Sequence, residues 1–134
     1  MIRAVVGVLY SSDLTKVLML KRREDDRAAT DWCFPGGKRD GVEDLKQTLI
    51  REFKEETDLD VCPTNIILCA DSGKYRIYVY EVVLKGSSPK VITLSDEHVV
   101  EAWLAPKWAI NELTLAGPVT KRILNLIIKR NKDG

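Results

Sequence analysis

Glu52, Glu55 and Glu56 crowd three carboxylates into a little over one helical turn of the segment "GGKRDGVEDLKQTLIREFKEETDL", residues 36–59. At about 100° per residue, and taking Glu52 as zero, Glu56 lies near 40° and Glu55 near −60°. Leu45, Leu49 and Phe53 fall near 20°, 60° and 100° on the same wheel. Glu52 and Glu56 therefore interleave with the apolar stripe. Like charges at these spacings repel by roughly 0.2–0.5 kcal/mol per pair. Glutamates in a last turn also meet the negative end of the helix dipole, and partial burial of unpaired carboxylates costs more than either. A divalent cation removes all three penalties. Hard oxygen donors suit Mg²⁺ or Mn²⁺, with phosphate oxygens or water completing the shell. A solvated charged face is the plainer alternative, but it leaves the overlap with the apolar stripe unexplained.

The elements that must hold these carboxylates can be read along the chain. Its 134 residues suit a single domain, residues 1–134, with a core of its own. Twenty-one basic and 20 acidic side chains give a net charge of +1. That balance offers no global field for a nucleic-acid polymer or a membrane, so any hold on phosphates must be local. Cys33, Cys62 and Cys69 form no CxxC pair and are expected to be reduced, buried thiols. The opening "AVVGVLY" is too short to span a membrane, which makes a cytoplasmic protein the expectation.

"IRAVVGVLY" and "KVLMLKR" are β-branched or apolar runs separated by the turn signal "SSDLT". "DWCFPGG" reads as a short strand closed by a breaker. The glutamate helix is predicted from about Val42 to Thr57. "VCPTNIILCADSG" and "KYRIYVYEVVL" form an antiparallel pair around Ser72-Gly73. The second alternates, with Tyr75, Ile77, Val79, Glu81 and Val83 on one side and Arg76, Tyr78, Tyr80 and Val82 on the other. "HVVEAWL" is a further strand, Pro106 opens a short helix, and "PVTKRILNLIIKR" is a last helix with Val119, Ile123, Leu126 and Ile127 on one stripe. Strands, a central helix, more strands and terminal helices predict an α/β sandwich with a mixed sheet.

The spacing of Gly37, Glu43 and "REFKEETDL" (residues 51–59) resembles the Nudix box, G-x5-E-x7-R-E-U-x-E-E-x-G-U with U a bulky apolar residue. One position departs: Asp58 stands where the pattern has Gly. Glycine there supplies a left-handed residue past the helix end, which Asp tolerates better than most. Turn geometry is thus affected more than the carboxylates. The resemblance implies a Nudix-type α/β/α sandwich with a central mixed β-sheet. It also implies a Mg²⁺-dependent hydrolase, with Mn²⁺ able to substitute, that cuts a phosphoanhydride in a nucleoside diphosphate linked to another group.

Carried over by position, Glu52, Glu55, Glu56 and the Gly36 carbonyl match metal ligands, while Arg51 and Glu43 match the pair that holds the Gly37 loop and orients the carboxylates. For Glu43, a capping box with Asp40 is an alternative or additional role. A further acidic ligand, six residues before Trp103, is assigned to Glu97, with Glu101 as the alternative. The general base stays open among Glu52, Glu97 and His98.

Lys21, Arg22 and Arg23 leave the second strand as candidates to grip phosphates. Arg76, Tyr78 and Tyr80 share a face suited to the nucleoside, and Trp32 is a stacking candidate more in keeping with a core residue. In length and layout the chain is similar to short MutT-type members, which convert a (d)NTP to the monophosphate and pyrophosphate. The loop "LTLAGPVTK" lacks the Asn that members cleaning oxidised guanine use, so the resemblance points away from 8-oxo-dGTP. Dinucleoside polyphosphates, nucleotide sugars and a non-catalytic nucleotide-binding module remain alternatives. The expected partner is a small nucleotide, with the protein a monomer or homodimer.

Overall fold

Alternating burial along the first strand shows how the chain serves two cores at once. In the computed structural model, which describes residues 1–22, 31–86 and 98–133, β1 spans Ile2–Leu9. Val5 and Leu9 face one hydrophobic cluster and Val8 faces another, as the period of two requires. β2 (Val17–Arg22) is buried on both faces: Val17 and Met19 join the cluster of Val8, and Leu18 joins that of Val5 and Leu9. Its uninterrupted apolar run is the signature of such a strand.

Short strands β3 (Trp32–Cys33) and β4 (Gly36–Lys38) precede α1 (Leu45–Thr57). β5 (Val61–Ser72) and β6 (Tyr75–Leu84) then form the expected hairpin, with Gly73 at φ +56° in its turn. β7 (His98–Leu104), α2 (Pro106–Glu112) and α3 (Gly117–Asp133) complete the order. One sheet runs β4-β1-β6-β5 and is mixed, because β1 and β6 are parallel while the other pairs are antiparallel. The other runs β3-β2-β7 and is antiparallel. α1 covers one side through Leu49 and Phe53, and α2 and α3 cover the other through Ala109, Val119, Ile123, Leu124 and Ile127. This is the expected α/β/α sandwich, its middle layer made of two sheets bridged at Tyr10 and Val17. Among the described residues no helix is long and apolar enough to cross a membrane.

Several local expectations are corrected. α1 starts at Leu45 and leaves Val42 fully exposed, because Asp44 and Gln47 form the capping box in place of Asp40 and Glu43. The Asp44 carboxylate accepts from the Gln47 N–H at 2.8 Å, and the Gln47 side-chain oxygen accepts from the Asp44 N–H at 2.9 Å. On α3 the buried stripe carries Thr120 and Leu124, while Leu126 is half-buried. The cysteines are free thiols, but Cys33 and Cys62 are half-buried and Cys69 is exposed. Asp58 behaves as expected: it caps α1 in the left-handed region (φ 61°, ψ 18°), and its carboxylate meets Lys54 at 3.2 Å. In the β1–β2 turn, Asp13 accepts from Ser11 and Thr15, and these bonds lower its pKa to about 2.

Candidate functional site

β4 is an edge strand, and its ladder fixes where Gly36 points. The Gly7 N–H donates to the Pro35 carbonyl and the Arg39 N–H to the Arg3 carbonyl, each at 2.9 Å. Antiparallel bonding uses alternate residues, so the N–H and C=O of Gly36 face the open edge. There the Gly36 N–H donates to Glu56 Oε1 at 2.9 Å. Glu56 is 5% exposed, which makes it a buried carboxylate at the helix's apolar margin, as the wheel predicted. The Gly36 carbonyl shares that edge with the carboxylates, consistent with its expected place in the site.

Gly37 explains itself by contact. A Cβ at this position would sit 2.4 Å from the Glu52 carboxyl carbon, closer than any real packing allows. The glycine of the motif thus permits Glu52 to lie directly on β4. Arg51 organises the rest. Its Nε donates to Glu43 at 2.8 Å, its Nη1 donates to Glu52 Oε1 at 3.0 Å and to Glu55 at 3.2 Å. Nη2 returns to Glu43 at 3.0 Å, making a two-pronged pair. The guanidinium holds Glu43 below the usual carboxylate range, and the carboxylates in turn raise the pKa of Arg51. Because Asp44 and Gln47 cap the helix, Glu43 is left to this pair.

A cavity of about 650 Å³ opens beside these groups. Its lining combines Glu52, Glu55, Glu56, Gly36, Gly37 and Lys38 with the apolar side chains of Val6, Phe34, Ile77, Val119 and Ile123 and with Tyr75. Trp32 holds the α2–α3 loop against it. Its N–H donates to the Thr114 carbonyl and its carbonyl accepts from the Ala116 N–H, both at 2.9 Å. Trp32 is half-buried against the core cluster of Val8 and Met19, and so serves the site through its backbone.

The structure brings together Gly36, Gly37, Glu43, Arg51, Glu52, Glu55 and Glu56. It separates them from Arg76 and Tyr78, the residues expected to face the nucleoside, which do not line the cavity. Tyr75 and Ile77 line the cavity, so strand alternation turns Arg76 and Tyr78 to the α1 side of the sheet. Arg76 there pairs with Asp71 at 2.9 Å. Lys21 is half-buried opposite Trp32 and Val100, away from the cavity lining. Glu101 lies opposite Leu20 and is likewise absent from the lining. Arg23 and Glu97 lie outside the described residues, as do the side chains of Arg22 and His98. Sequence reasoning passed over Lys38, Tyr75 and Thr120. The β6 alternation carried the signal for Tyr75, but its two faces could be assigned only once their neighbours were known.

The donor set suits a hard cation: three glutamate carboxylates and a backbone carbonyl on one cavity wall. Among the described residues, however, no three acidic, His or Cys side chains converge as around a bound ion. Glu52 and Glu55 turn to Arg51, and Glu56 turns to Gly36. Coordination would require Glu55, whose side chain is 55% exposed and therefore unconfined, to swing from Arg51.

With this geometry established, comparison with known proteins is decisive at the level of family. The NUDIX domain family matches residues 1–126. The chain belongs to it.

The Nudix fold extends over the chain's length. The MutT protein from Methanosarcina mazei Go1 is 24% identical, with 98% of this chain and 94% of that one covered at a TM-score of 0.74. A Nudix hydrolase from Nitrosomonas europaea is 17% identical, covering 96% and 89% at a TM-score of 0.80. The dihydroneopterin triphosphate diphosphatase of Haemophilus influenzae is 33% identical over 78 residues, 57% of this chain and 48% of that protein. The chain spans from 30% to 49% of the length of the curated relatives it matches.

Proposed function

We propose that this Nudix chain, with residues 1–134 as one domain, is a pyrophosphohydrolase of nucleoside diphosphate derivatives. The proposed substrate is a (d)NTP, cut to the monophosphate and pyrophosphate. One observation carries the proposal: a single cavity is lined both by the motif's carboxylates and by apolar side chains of the sheet and α3. The apolar part of the lining suits an aromatic base between Tyr75 and Ile77 of β6 and Val119 and Ile123 of α3. Lys38, in the same lining, is placed to meet a phosphate as a point charge. The relative from Haemophilus influenzae is named a diphosphatase of a triphosphate, which supports the reaction class.

Glu52, Glu55, Glu56 and the Gly36 carbonyl would hold Mg²⁺ or Mn²⁺, with Glu97 as a further ligand. Such a cation neutralises a diphosphate and supplies a more acidic water. Arg51 acts as a positioning residue, fixing Glu43, Glu52 and Glu55 relative to one another. The proton of the attacking water goes to Glu52, Glu97 or His98, and the apolar lining orients the nucleoside for in-line cleavage. The protein is proposed to act on free nucleotides in the cytoplasm, as a monomer or homodimer. Nucleotide binding without hydrolysis is the second reading, favoured by the engagement of Glu52 and Glu55 with Arg51.

A hydrolysis panel in Mg²⁺ tests the two against each other. It covers (d)NTPs, dinucleoside polyphosphates and nucleotide sugars, with Glu55→Gln alongside. Cleavage of one class at kcat/KM of about 10⁴ M⁻¹s⁻¹ or more, lost in the variant, supports the enzyme. Binding without turnover in the wild type supports the second reading.

A further inference from the structure

We infer that the α1 side of the mixed sheet carries a second anion site, built for a phosphoryl group and separate from the carboxylate cavity. Alternation along β1 and β4 divides the two. Ala4 and Lys38 are register partners that line the cavity, and Arg3 and Arg39, one residue on, line a cleft on the opposite face. The cleft holds about 340 Å³ between the sheet and the first turn of α1, and is lined by Arg3, Arg39, Asp44, Leu45, Lys46 and Tyr80.

Three features give it the chemistry of a phosphate site. The Arg39 N–H bonds to the Arg3 carbonyl, and Arg3 is the register partner of Arg76, so three arginines stand side by side across neighbouring strands. Strands about 4.8 Å apart bring such side chains within reach of one anion. Asp71 occupies Arg76. Arg3, Arg39 and Lys46 have no ion-pair partner among the described residues.

Among the described residues Asp44 is the one acid in the lining, and its carboxylate is committed to the Gln47 N–H. Three cations against one carboxylate leave a local charge of +2 in a chain whose net charge is +1. A phosphate monoester carries roughly −1.5 to −2 near pH 7 and offers three acceptor oxygens, which matches this donor set in charge and number.

The independent observation is Tyr80. It is 5% exposed and lines the cleft, yet its hydroxyl has no hydrogen-bond partner among the described residues. A phenol lining the cleft can donate its hydroxyl to an acceptor bound there. Burial, with Asp44 nearby, raises its pKa, so it remains a donor at neutral pH. Two guanidiniums, an ammonium and a phenol therefore line one space in which, among the described residues, the capping carboxylate is the one anion.

Amide NMR of the full chain tests this, titrating sodium phosphate and, separately, AMP against sodium chloride at matched ionic strength. Saturable shifts at Arg3, Arg39, Lys46 and Tyr80 with either phosphate are expected. The double variant Arg3→Gln/Arg39→Gln should weaken them by tenfold or more. Tyr80→Phe, which keeps the ring in place, should weaken them about threefold to tenfold by loss of one hydrogen bond. Tighter binding of AMP would identify the ligand as a nucleotide, and equal binding would identify free phosphate; both support the site. Shifts confined to Gly36–Lys38, equal shifts with chloride, or shifts that survive the double variant would overturn it. Hydrolysis does not enter the readout, so the proposed activity stands or falls separately.

Discussion

At its N-terminal end α1 satisfies its own backbone with neighbours, through the reciprocal Asp44 and Gln47 bonds. At its C-terminal end it carries Glu52, Glu55 and Glu56, which propensity, charge and dipole all disfavour. The two ends differ in where compensation comes from. The first is local and removable at the cost of a cap. The second comes in part from outside the helix, from β4 and from Glu43, which anchors Arg51. A helix end stabilised from outside is free to present carboxylates to a cavity, and substitutions at the two ends should separate stability from activity.

Glu55→Gln should show the largest separation. Its side chain is 55% exposed, so stability should move by less than about 0.5 kcal/mol. Hydrolysis should fall by about 10²–10³-fold or more, in keeping with loss of an electrostatic group at a reacting centre. Retained turnover would place the chemistry elsewhere. Gly37→Ala probes the same end through β4. The added methyl displaces Glu52, and a misplacement of the order of 1 Å costs about 10²-fold in rate. Steady-state kinetics should register this in kcat, with the fold intact by circular dichroism.

Arg51→Lys sharpens the comparison at the hinge between the ends. A lysine cannot make the two-pronged contact with Glu43 while reaching Glu52 and Glu55. Activity should drop about 10–100-fold, the range for groups that orient ligands. Glu43 adds a pH test. Its pKa is depressed when folded, so its contribution is fully present above the unfolded value of about 4.3 and is lost as pH falls through the lower folded value. Melting temperatures of wild type and Glu43→Gln should differ at pH 6 and converge well below pH 4. A constant difference across that range would remove the ion pair from the stability of the fold.

The carboxylate end was legible in the sequence because its anomaly is local: spacing alone places Glu52 and Glu56 at the edge of an apolar stripe. The left-handed Asp58 was legible for the same reason, since the helix-ending position constrains the backbone whatever lies around it. The alternative cap at Asp40 lay four residues early because Asp40 and Asp44 each precede an acceptor three positions on. Only the tertiary claim of Arg51 on Glu43 decides between them. That Arg76 and Tyr78 turn away from the carboxylate cavity was hidden for a deeper reason. Alternation in β6 divides Tyr75 from Arg76, but both faces carry a tyrosine, and which one meets a cavity depends on α1 and α3 packing on opposite sides. Chemistry-bearing residue types drew the assignment to Arg76, whose partner proves to be Asp71, five residues away.

The smallest expected effect is at the N-terminal end. Asp44→Ala removes one side of the capping box and should lower stability by about 1 kcal/mol, a fall of roughly 3–5 °C in Tm for a domain of this size. The helix keeps its C-terminal register through Phe53, which is fully buried against Gly7, so the carboxylates should stay in place. kcat should therefore remain within about twofold of wild type, because the bonds of Arg51 to Glu52 and Glu55 and of Gly36 to Glu56 do not run through Asp44. A large loss of kcat with little change in Tm would mean that the cap positions Glu43 after all, and that the two ends of α1 act as one unit.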